Sequence, residues 1–314
     1  MRSHSFIIAI FVAIGIAFLF PQGTELLPLK TITDIGIGLI FLFYGLKLSP
    51  AEFRAGVLNY KIHIIIHLTT FVVFPLLCLA CLPLFEDGLR SELWIALFFL
   101  GTLPSTVSSS VVMVALAKGN LPAAIFNASL SGLIGIIATP VWIGFILEKT
   151  TDFEFISVLQ KLCLQIIVPL AIGLFLQRYL GDLARKFGKQ LSLFDKTTII
   201  LIIYSSFSNS FSSNLFDTVE LDEFFKMLAV VFLLFFIVYF GLGKLSNLFN
   251  LKREDKITAQ FCGTKKSLVH GSVMVKVIFG NAASTGLLLL PVMLYHSLQL
   301  ILVAWFAERY RRQG

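Results

Sequence analysis

Ten mostly apolar stretches, many of them close to 20 residues long, recur along the 314-residue chain. An α-helix needs about 20 such residues to cross the hydrocarbon core of a bilayer. Hydrophobic residues make up 57% of the chain and charged residues 14%, too few to cover a soluble surface, which excludes an ordinary soluble enzyme, a disordered chain and a secreted disulfide scaffold. We therefore predict an all-α membrane protein whose ten transmembrane helices lie at about 5–20, 33–48, 62–84, 92–117, 122–147, 155–179, 196–213, 223–248, 257–279 and 283–307.

Basic residues are distributed unequally between the segments that link these helices. With the N-terminus in the cytoplasm, 17 of the 25 Lys and Arg fall on the cytoplasmic side and six on the other. Cytoplasmic loops carry such an excess, so we predict an integral plasma (inner) membrane protein with both termini cytoplasmic. A cleaved signal peptide is the alternative for the first helix, but no small-x-small cleavage site precedes Pro21.

A nine-residue pattern occurs twice, 161 residues apart. Residues 112–120 read V-M-V-A-L-A-K-G-N and residues 273–281 read V-M-V-K-V-I-F-G-N, with five matches. Each copy ends the fourth helix of a set of five, and five helices per half invert the second half, an architecture of secondary transporters. We predict a first five-helix repeat over 1–153 and a second, inverted one over 154–314; a chance match of common apolar residues is the alternative.

A polar, helix-breaking stretch precedes each copy, at 101–110 and at 263–267. Pro104 lacks a backbone donor and interrupts a helix. We therefore predict that helices 4 and 9 are discontinuous and cross, exposing amide and carbonyl groups that bind ions. Close helix packing through small hydroxyl residues is the alternative. The candidate cavity residues from these stretches and from the fifth helix are Thr106, Ser108, Ser109, Ser110, Asn127, Ser129, Ser131, Thr264 and Ser267.

Two adjacent lysines, Lys265 and Lys266, lie inside the ninth predicted helix. Placing a charged side chain in the bilayer core costs a free energy of at least about 2.5–3.5 kcal/mol. Charged residues at such positions are therefore candidate functional residues. Their partners are a backbone carbonyl, a carboxylate such as Asp34, or an anionic substrate. The alternative is that both lie near the interface and extend their ammonium groups to it.

Two histidines, His270 and His296, also lie inside predicted helices. They suit hydrogen bonding to a substrate or coupling to protons, although a buried histidine is more often a hydrogen-bonded packing residue. No metal site and no catalytic residue is predicted.

The sequence motifs resemble those of the bile acid:sodium symporter family, in the SBF-like branch that includes bacterial proteins and a vertebrate orphan member. The motifs are F-C-G-T-K-K-S-L-V-H-G-S-V-M-V-K at 261–276, L-P-V-M-L-Y-H at 290–296, F-Y-G-L-K-L-S at 43–49, T-L-P-S-T-V-S-S-S-V at 102–111 and A-K-G-N at 117–120. The likeness extends over essentially the whole chain.

This resemblance implies a panel domain from helices 1, 2, 6 and 7 and a core domain from helices 3–5 and 8–10. In sodium-coupled members the ions lie behind the crossing of helices 4 and 9. By this resemblance Ser109, Ser110, Asn127, Ser129 and Ser131 occupy matching regions. His296 matches a cavity-lining histidine of helix 10.

The chain departs from the family pattern at the sodium site. The sodium-binding Glu of the family falls at Phe261, and the Gln and Asn that follow fall at Lys265 and Lys266. Two ammonium groups repel a sodium ion by about 4 kcal/mol each at 4 Å and an effective dielectric of 20. The family's sodium sites are therefore not expected here, no other cofactor is predicted, and one lysine is a candidate built-in cation.

The sequence as a whole predicts a secondary active transporter of an organic anion, bile-acid-like or sterol-like by family resemblance. The partners expected are this small anion and membrane lipid; nucleic acid is not expected, and the oligomeric state is left open. The alternatives are a regulatory membrane protein without transport activity and a sodium-coupled symporter that uses a different ion site.

Overall fold

The structure is a computed structural model that describes residues 3–26, 28–48, 59–85, 88–147, 160–161, 163–214, 220–280 and 284–313. Within these ranges the regular structure is helical, with no β-strand. Among the described residues seven helices are long and apolar enough to cross a membrane, and shorter apolar helices cover Ile8–Leu19 and Glu92–Thr102. The all-α class is confirmed, whereas ten transmembrane helices in two repeats stay a prediction.

The helices follow the predicted apolar stretches closely. In the first half they are α1 Ser3–Leu19, α2 Leu29–Lys47, α3 Tyr60–Leu68, α4 Phe74–Ala80, α5 Glu92–Thr102, α6 Ser108–Leu116 and α7 Leu121–Leu147. In the second half they are α8 Val168–Lys186, α9 Gly188–Ser212, α10 Leu221–Leu248, α11 Arg253–Thr264, α12 Leu268–Phe279 and α13 Thr285–Gln313. A π-helical turn, Thr69–Val73, joins α3 to α4, and another, Cys163–Ile167, precedes α8.

Large apolar side chains are exposed on many of these helices. Phe11, Phe175 and Phe232, for example, are 56%, 64% and 49% exposed. Soluble proteins rarely leave extended apolar surface in water, whereas bilayer hydrocarbon accommodates it. Together with the seven long apolar helices, this surface identifies an integral membrane protein.

The boundary between α8 and α9 differs from the prediction. The apolar stretches end at 179 and resume at 196, but α8 continues to Lys186 and α9 begins at Gly188. The intervening segment contains Leu, Ala, Arg, Lys and Gln, which favour helix although several are charged or polar. The hydropathy pattern therefore predicts the apolar parts of α8 and α9 but not the polar turns by which both helices are extended.

The chain divides into two compact units. The first comprises Met1–Ser49, Thr151–Glu220 and Gly271–Leu289, and the second comprises Pro50–Thr150, Leu221–His270 and Leu290–Gly314. In the first unit α2 and α8 approach at glycines: a Cβ on Gly45 would lie 2.5 Å from Leu170 O, and one on Gly173 would lie 2.2 Å from Leu42 O. No side chain fits there, so small residues are required for this backbone contact.

The second unit contains every candidate site residue of the sequence analysis. Its helix α11 is anchored by Asp255, a buried carboxylate in the first turn. Asp255 accepts hydrogen bonds from the amides of Asn59 at 2.6 Å and Asn120 at 2.7 Å. Negative charge at a helix N-terminus is favourable, so Asn120, the last residue of the first repeated pattern, has a structural role.

Candidate ion and substrate site

Two stretches of non-helical backbone meet in the second unit. Residues 103–107 separate α5 from α6, and residues 265–267 separate α11 from α12; we call them the first and second breaks. The Ser267 N–H donates to Pro104 O at 2.8 Å, and the Ser105 hydroxyl donates to Cys262 O at 2.6 Å. Backbone groups that a continuous helix would pair internally are paired between the two breaks, as buried polar groups must be.

The first break leaves carbonyls of α5 without partners inside the helix. The last four carbonyls of any helix lack an intrahelical donor, and Pro104 supplies no N–H. Gly101 O and Leu103 O instead accept hydrogen bonds from Nζ of Lys266, at 2.6 Å and 2.8 Å. A lysine from the second break therefore satisfies the end of α5.

The π-helical turn Thr69–Val73 provides a third acceptor for the same lysine. In a π-helix each carbonyl accepts from the residue five positions ahead; for Thr70 that residue is Pro75, which has no N–H. Thr70 O accepts from Nζ of Lys266 at 2.9 Å. The sequence analysis treated this span as one uninterrupted helix, because hydropathy carries no signal for a π-turn.

Lys266 is thus held in a cage of three carbonyls, which we call the carbonyl cage. Its side chain is 1% exposed, and Nζ lies 4.2 Å from the centroid of the Phe74 ring. An ammonium group has three donors, and the three carbonyls take all of them. The C-terminal end of α5 and the aromatic face also favour a cation. The Lys266 ammonium group therefore binds backbone carbonyls inside the protein.

Lys265 is fully buried but has a different environment. The backbone at Lys265 is extended, with φ −77° and ψ 146°, so successive side chains point to opposite sides. Its Nζ donates to Ser109 O at 2.8 Å and lies 3.5 Å from Ser109 Oγ. Among the described residues both bonds go to Ser109, which leaves the ammonium group capacity for another acceptor.

Hydroxyl groups around the start of α6 are hydrogen-bonded next to Ser109, the partner of this second lysine. Thr106 Oγ1 lies 2.8 Å from Ser109 Oγ and 2.9 Å from Ser110 Oγ. We call Thr106, Ser109, Ser110 and Lys265 the polar cluster. Ser108 begins α6, but its side chain lies outside what the structure describes.

The three candidates from the predicted fifth helix, Asn127, Ser129 and Ser131, have different environments. Ser131 Oγ accepts the Ser105 N–H at 2.9 Å and so supports the first break. Asn127 donates to Ala123 O at 2.7 Å, while its buried Oδ1 has no partner among the described residues. Ser129 is half-buried on the same helix.

The remaining ninth-helix candidates lie at the ends of the second break. Ser267 Oγ lies 3.0 Å from Nδ1 of His270 and accepts the His270 N–H at 3.3 Å, which caps the start of α12. Thr264 Oγ1 is buried without a partner among the described residues. His270 therefore has a hydrogen-bonded, local role in this conformation.

Two buried side chains that were not among the predicted site residues hold the second break. The Gln299 amide accepts the Lys266 N–H and donates to Lys266 O, both at 2.8 Å, and its nitrogen lies 2.9 Å from Nδ1 of His296. The Tyr295 hydroxyl donates to Thr264 O at 2.6 Å. A glutamine inside a predicted transmembrane helix was the available signal for this role, since buried polar residues there are rare and usually partnered.

Phe261, which the resemblance placed opposite a sodium-binding Glu, is buried among aromatic rings. Its ring centroid lies 6.4 Å from that of Tyr239 and 6.0 Å from that of Tyr310. The Phe261 side chain itself offers no oxygen ligand for a hard cation. The absence of sodium at this position stays a prediction.

A cavity of about 610 Å³ is lined by α10, α11 and α13. Three of its lining residues are basic, four are aromatic, and none of the described lining residues is acidic; they are Lys244, Lys256, Arg309, Tyr239, Phe240, Phe306, Tyr310, Gly243, Asn247 and Gln260. A cavity of this size can enclose a small organic molecule. None of these residues was a candidate in the sequence analysis, which read the basic ones as topology signals.

The chain is similar to several known proteins over nearly its whole length. It is 33% identical over 311 residues to protein PA2026 of Pseudomonas aeruginosa, covering 98% of this chain and 93% of that protein. It is 30% identical over 316 residues to sodium/bile acid cotransporter 7 of Rattus norvegicus, covering 96% and 90%. It is also 30% identical over 315 residues to sodium/bile acid cotransporter 7 of Danio rerio, covering 96% and 92%.

A family model also matches nearly the whole chain. The model of the SBF-like CPA transporter family matches residues 4–312, which confirms the resemblance drawn from the motifs around the two breaks. The members of this family are membrane transporters and not enzymes. The chain therefore belongs to the SBF-like CPA transporter family.

Proposed function

We propose that the protein is a secondary active transporter of an organic anion with substantial apolar bulk. Family membership supports transport, and the observation that carries the anion class is the cavity of about 610 Å³. Its aromatic rings suit an apolar body, and Lys244, Lys256 and Arg309 suit an acidic group. A bile-acid-like or sterol-like anion is the first class to test, because relatives bear the name sodium/bile acid cotransporter 7.

The polar cluster is a second place at which the anion's acidic group can bind. Lys265 keeps donor capacity there, and the Thr106 hydroxyl lies within hydrogen-bonding distance of the hydroxyls of Ser109 and Ser110. The buried, unpartnered Asn127 Oδ1 and Thr264 Oγ1 mark further polar positions. Lys266 is not assigned to the substrate, since its donors are taken.

Alternating access is the transport mechanism that we propose, by movement of a core domain against a panel domain. The division of the chain supports it: predicted helices 1, 2, 6 and 7 fall in one unit, and most of helices 3–5 and 8–10 fall in the other, apart from Gly271–Leu289. The paired breaks in the fourth and ninth predicted helices are the discontinuities that inverted-repeat transporters use. We further propose a plasma (inner) membrane location with both termini cytoplasmic, on the distribution of basic residues.

A thermal-shift screen of the purified protein tests the substrate class. Taurocholate and simpler aryl and alkyl carboxylates and sulfonates are added with and without sodium at two pH values. We expect saturable stabilisation by at least one amphipathic anion, reduced in a Lys244→Gln/Arg309→Gln variant or in Lys265→Gln. Lys189→Gln, an exposed lysine of the first unit, is the matched control.

The alternatives make opposite predictions in the same screen. A regulatory protein without transport activity predicts no stabilisation by any anion, and that result would remove the main support for the proposal. A symporter with a different sodium site predicts stabilisation by sodium alone. Loss of the anion effect in only one of the two variants identifies which place binds the acidic group.

A further inference from the structure

The carbonyl cage has the composition of a monovalent-cation site. Thr70 O, Gly101 O and Leu103 O converge on one point, at 2.9, 2.6 and 2.8 Å from Nζ of Lys266. Carbonyls of unwound helices and helix C-terminal ends coordinate cations in transporters, and carbonyl oxygens replace the hydration shell of ions in channels. The ring of Phe74, 4.2 Å away, adds an aromatic face that also attracts cations.

The cage is built by the fold and not by the lysine. Two carbonyls come from the end of α5 at the Pro104 break, and the third comes from the π-turn before Pro75. These groups lack helical donors because of proline and helix ends. These three carbonyls would therefore be stabilised by a bound positive charge whatever residue stood at position 266.

We propose that the ammonium group of Lys266 permanently occupies a monovalent-cation site, so that the chain supplies in its own sequence the ion that the cage requires. The Lys266 ammonium group places one positive charge among the three carbonyl oxygens, as one bound monovalent cation would. The covalent tether keeps this charge at a high effective concentration, so a dissolved cation cannot displace it. Lys265 is not equivalent, because its two described bonds go to the single residue Ser109.

The inference concerns the ion held by the fold, and it stands whether or not the proposed anion is correct. It predicts that the stability of the wild type does not depend on which cation is dissolved. After removal of the Lys266 side chain, stability should depend on a small dissolved cation. Lys266→Ala and Lys266→Gln leave the three carbonyls in place without their charge. Lys265→Ala is the matched control, a neighbouring buried lysine outside the cage.

The test measures melting temperature without substrate, at constant ionic strength, in choline, lithium, sodium, potassium or ammonium chloride. We expect the Tm of the wild type and of Lys265→Ala to be the same in all five salts. We expect at least one small cation to raise the Tm of Lys266→Ala or Lys266→Gln by about 3 °C or more over choline, and saturably, as ligand binding requires.

Several results would overturn the inference. Equal Tm values for both Lys266 variants in every salt would show that no dissolved cation enters the cage. Sodium stabilisation of the wild type, or equal rescue of Lys265→Ala, would place the cation elsewhere. Failure to recover either Lys266 variant in any salt would also contradict it, since the dissolved cation then does not replace the tethered one.

Discussion

The two breaks differ in where their cause lies. The first break contains Pro104, which cannot donate to the helix that precedes it. The second break, residues 265–267, has no proline, and its backbone is held by the side chains of Gln299 and Tyr295. One interruption therefore contains its own helix breaker in the sequence, whereas the other relies on side chains of α13.

The largest effect should follow from removing the main support of the second break. Gln299→Leu leaves the N–H and the carbonyl of Lys266 buried without partners, and each such group costs about 1–3 kcal/mol. We expect a loss of stability on the order of 2–4 kcal/mol, measured as a fall in Tm in detergent. Gln260→Leu, another buried glutamine, is the control and should lose less than half as much.

An equal loss in both glutamine variants would contradict the special role of Gln299. A Gln299→Glu variant sharpens the test, because a carboxylate still accepts from the Lys266 N–H but cannot donate to its carbonyl. It should fall between the wild type and Gln299→Leu.

Tyr295→Phe should have a smaller effect on the same break. The substitution keeps the ring that lies 5.7 Å from Phe74 and removes only the donor to Thr264 O. One buried carbonyl loses its partner, so we expect a loss of about 1–2 kcal/mol in the same melting experiment. No change in Tm would mean that the second break does not depend on this bond.

Pro104→Ala should have the smallest effect, although proline is the visible cause of the first break. The Ser105 N–H still bonds to Ser131, and Ser267 still bonds to the carbonyl of residue 104. Because these long-range bonds hold the non-helical backbone, we expect a loss below about 1 kcal/mol. A loss larger than that of Gln299→Leu would reverse the comparison and make proline the dominant support.

The difference between the breaks also explains what the sequence could reveal. Pro104 and the hydroxyl run after it predict an interruption by their own chemistry, and the structure places it at 103–107. The lysine pair indicated a polar position inside the membrane, but adjacent lysines give no sign of which one binds carbonyls. The extended backbone at Lys265 directs the two side chains to opposite sides, and only the structure shows it.

Long-range partners account for most of what the sequence did not predict. Thr70 and Lys266 are 196 positions apart, and Gly101 and Lys266 are 165 apart. No pattern of periodicity or spacing connects such pairs. The cavity lined by Lys244 and Arg309 was not predicted for the same reason, since these residues lie on helices that are distant in sequence.

The sequence by itself determined that this protein lies in a bilayer and that its fourth predicted helix is interrupted near Pro104. Apolar stretches of membrane length require a bilayer. Pro104, followed by a run of hydroxyl residues, marks an interruption, whereas Pro140 and Pro291 lie inside continuous helices. Only the tertiary structure decided that Lys266 is caged and that Lys265 keeps a free donor capacity at the polar cluster. The physical reason is that carbonyls released from different helices acquire a common partner only when packing brings those helix ends together.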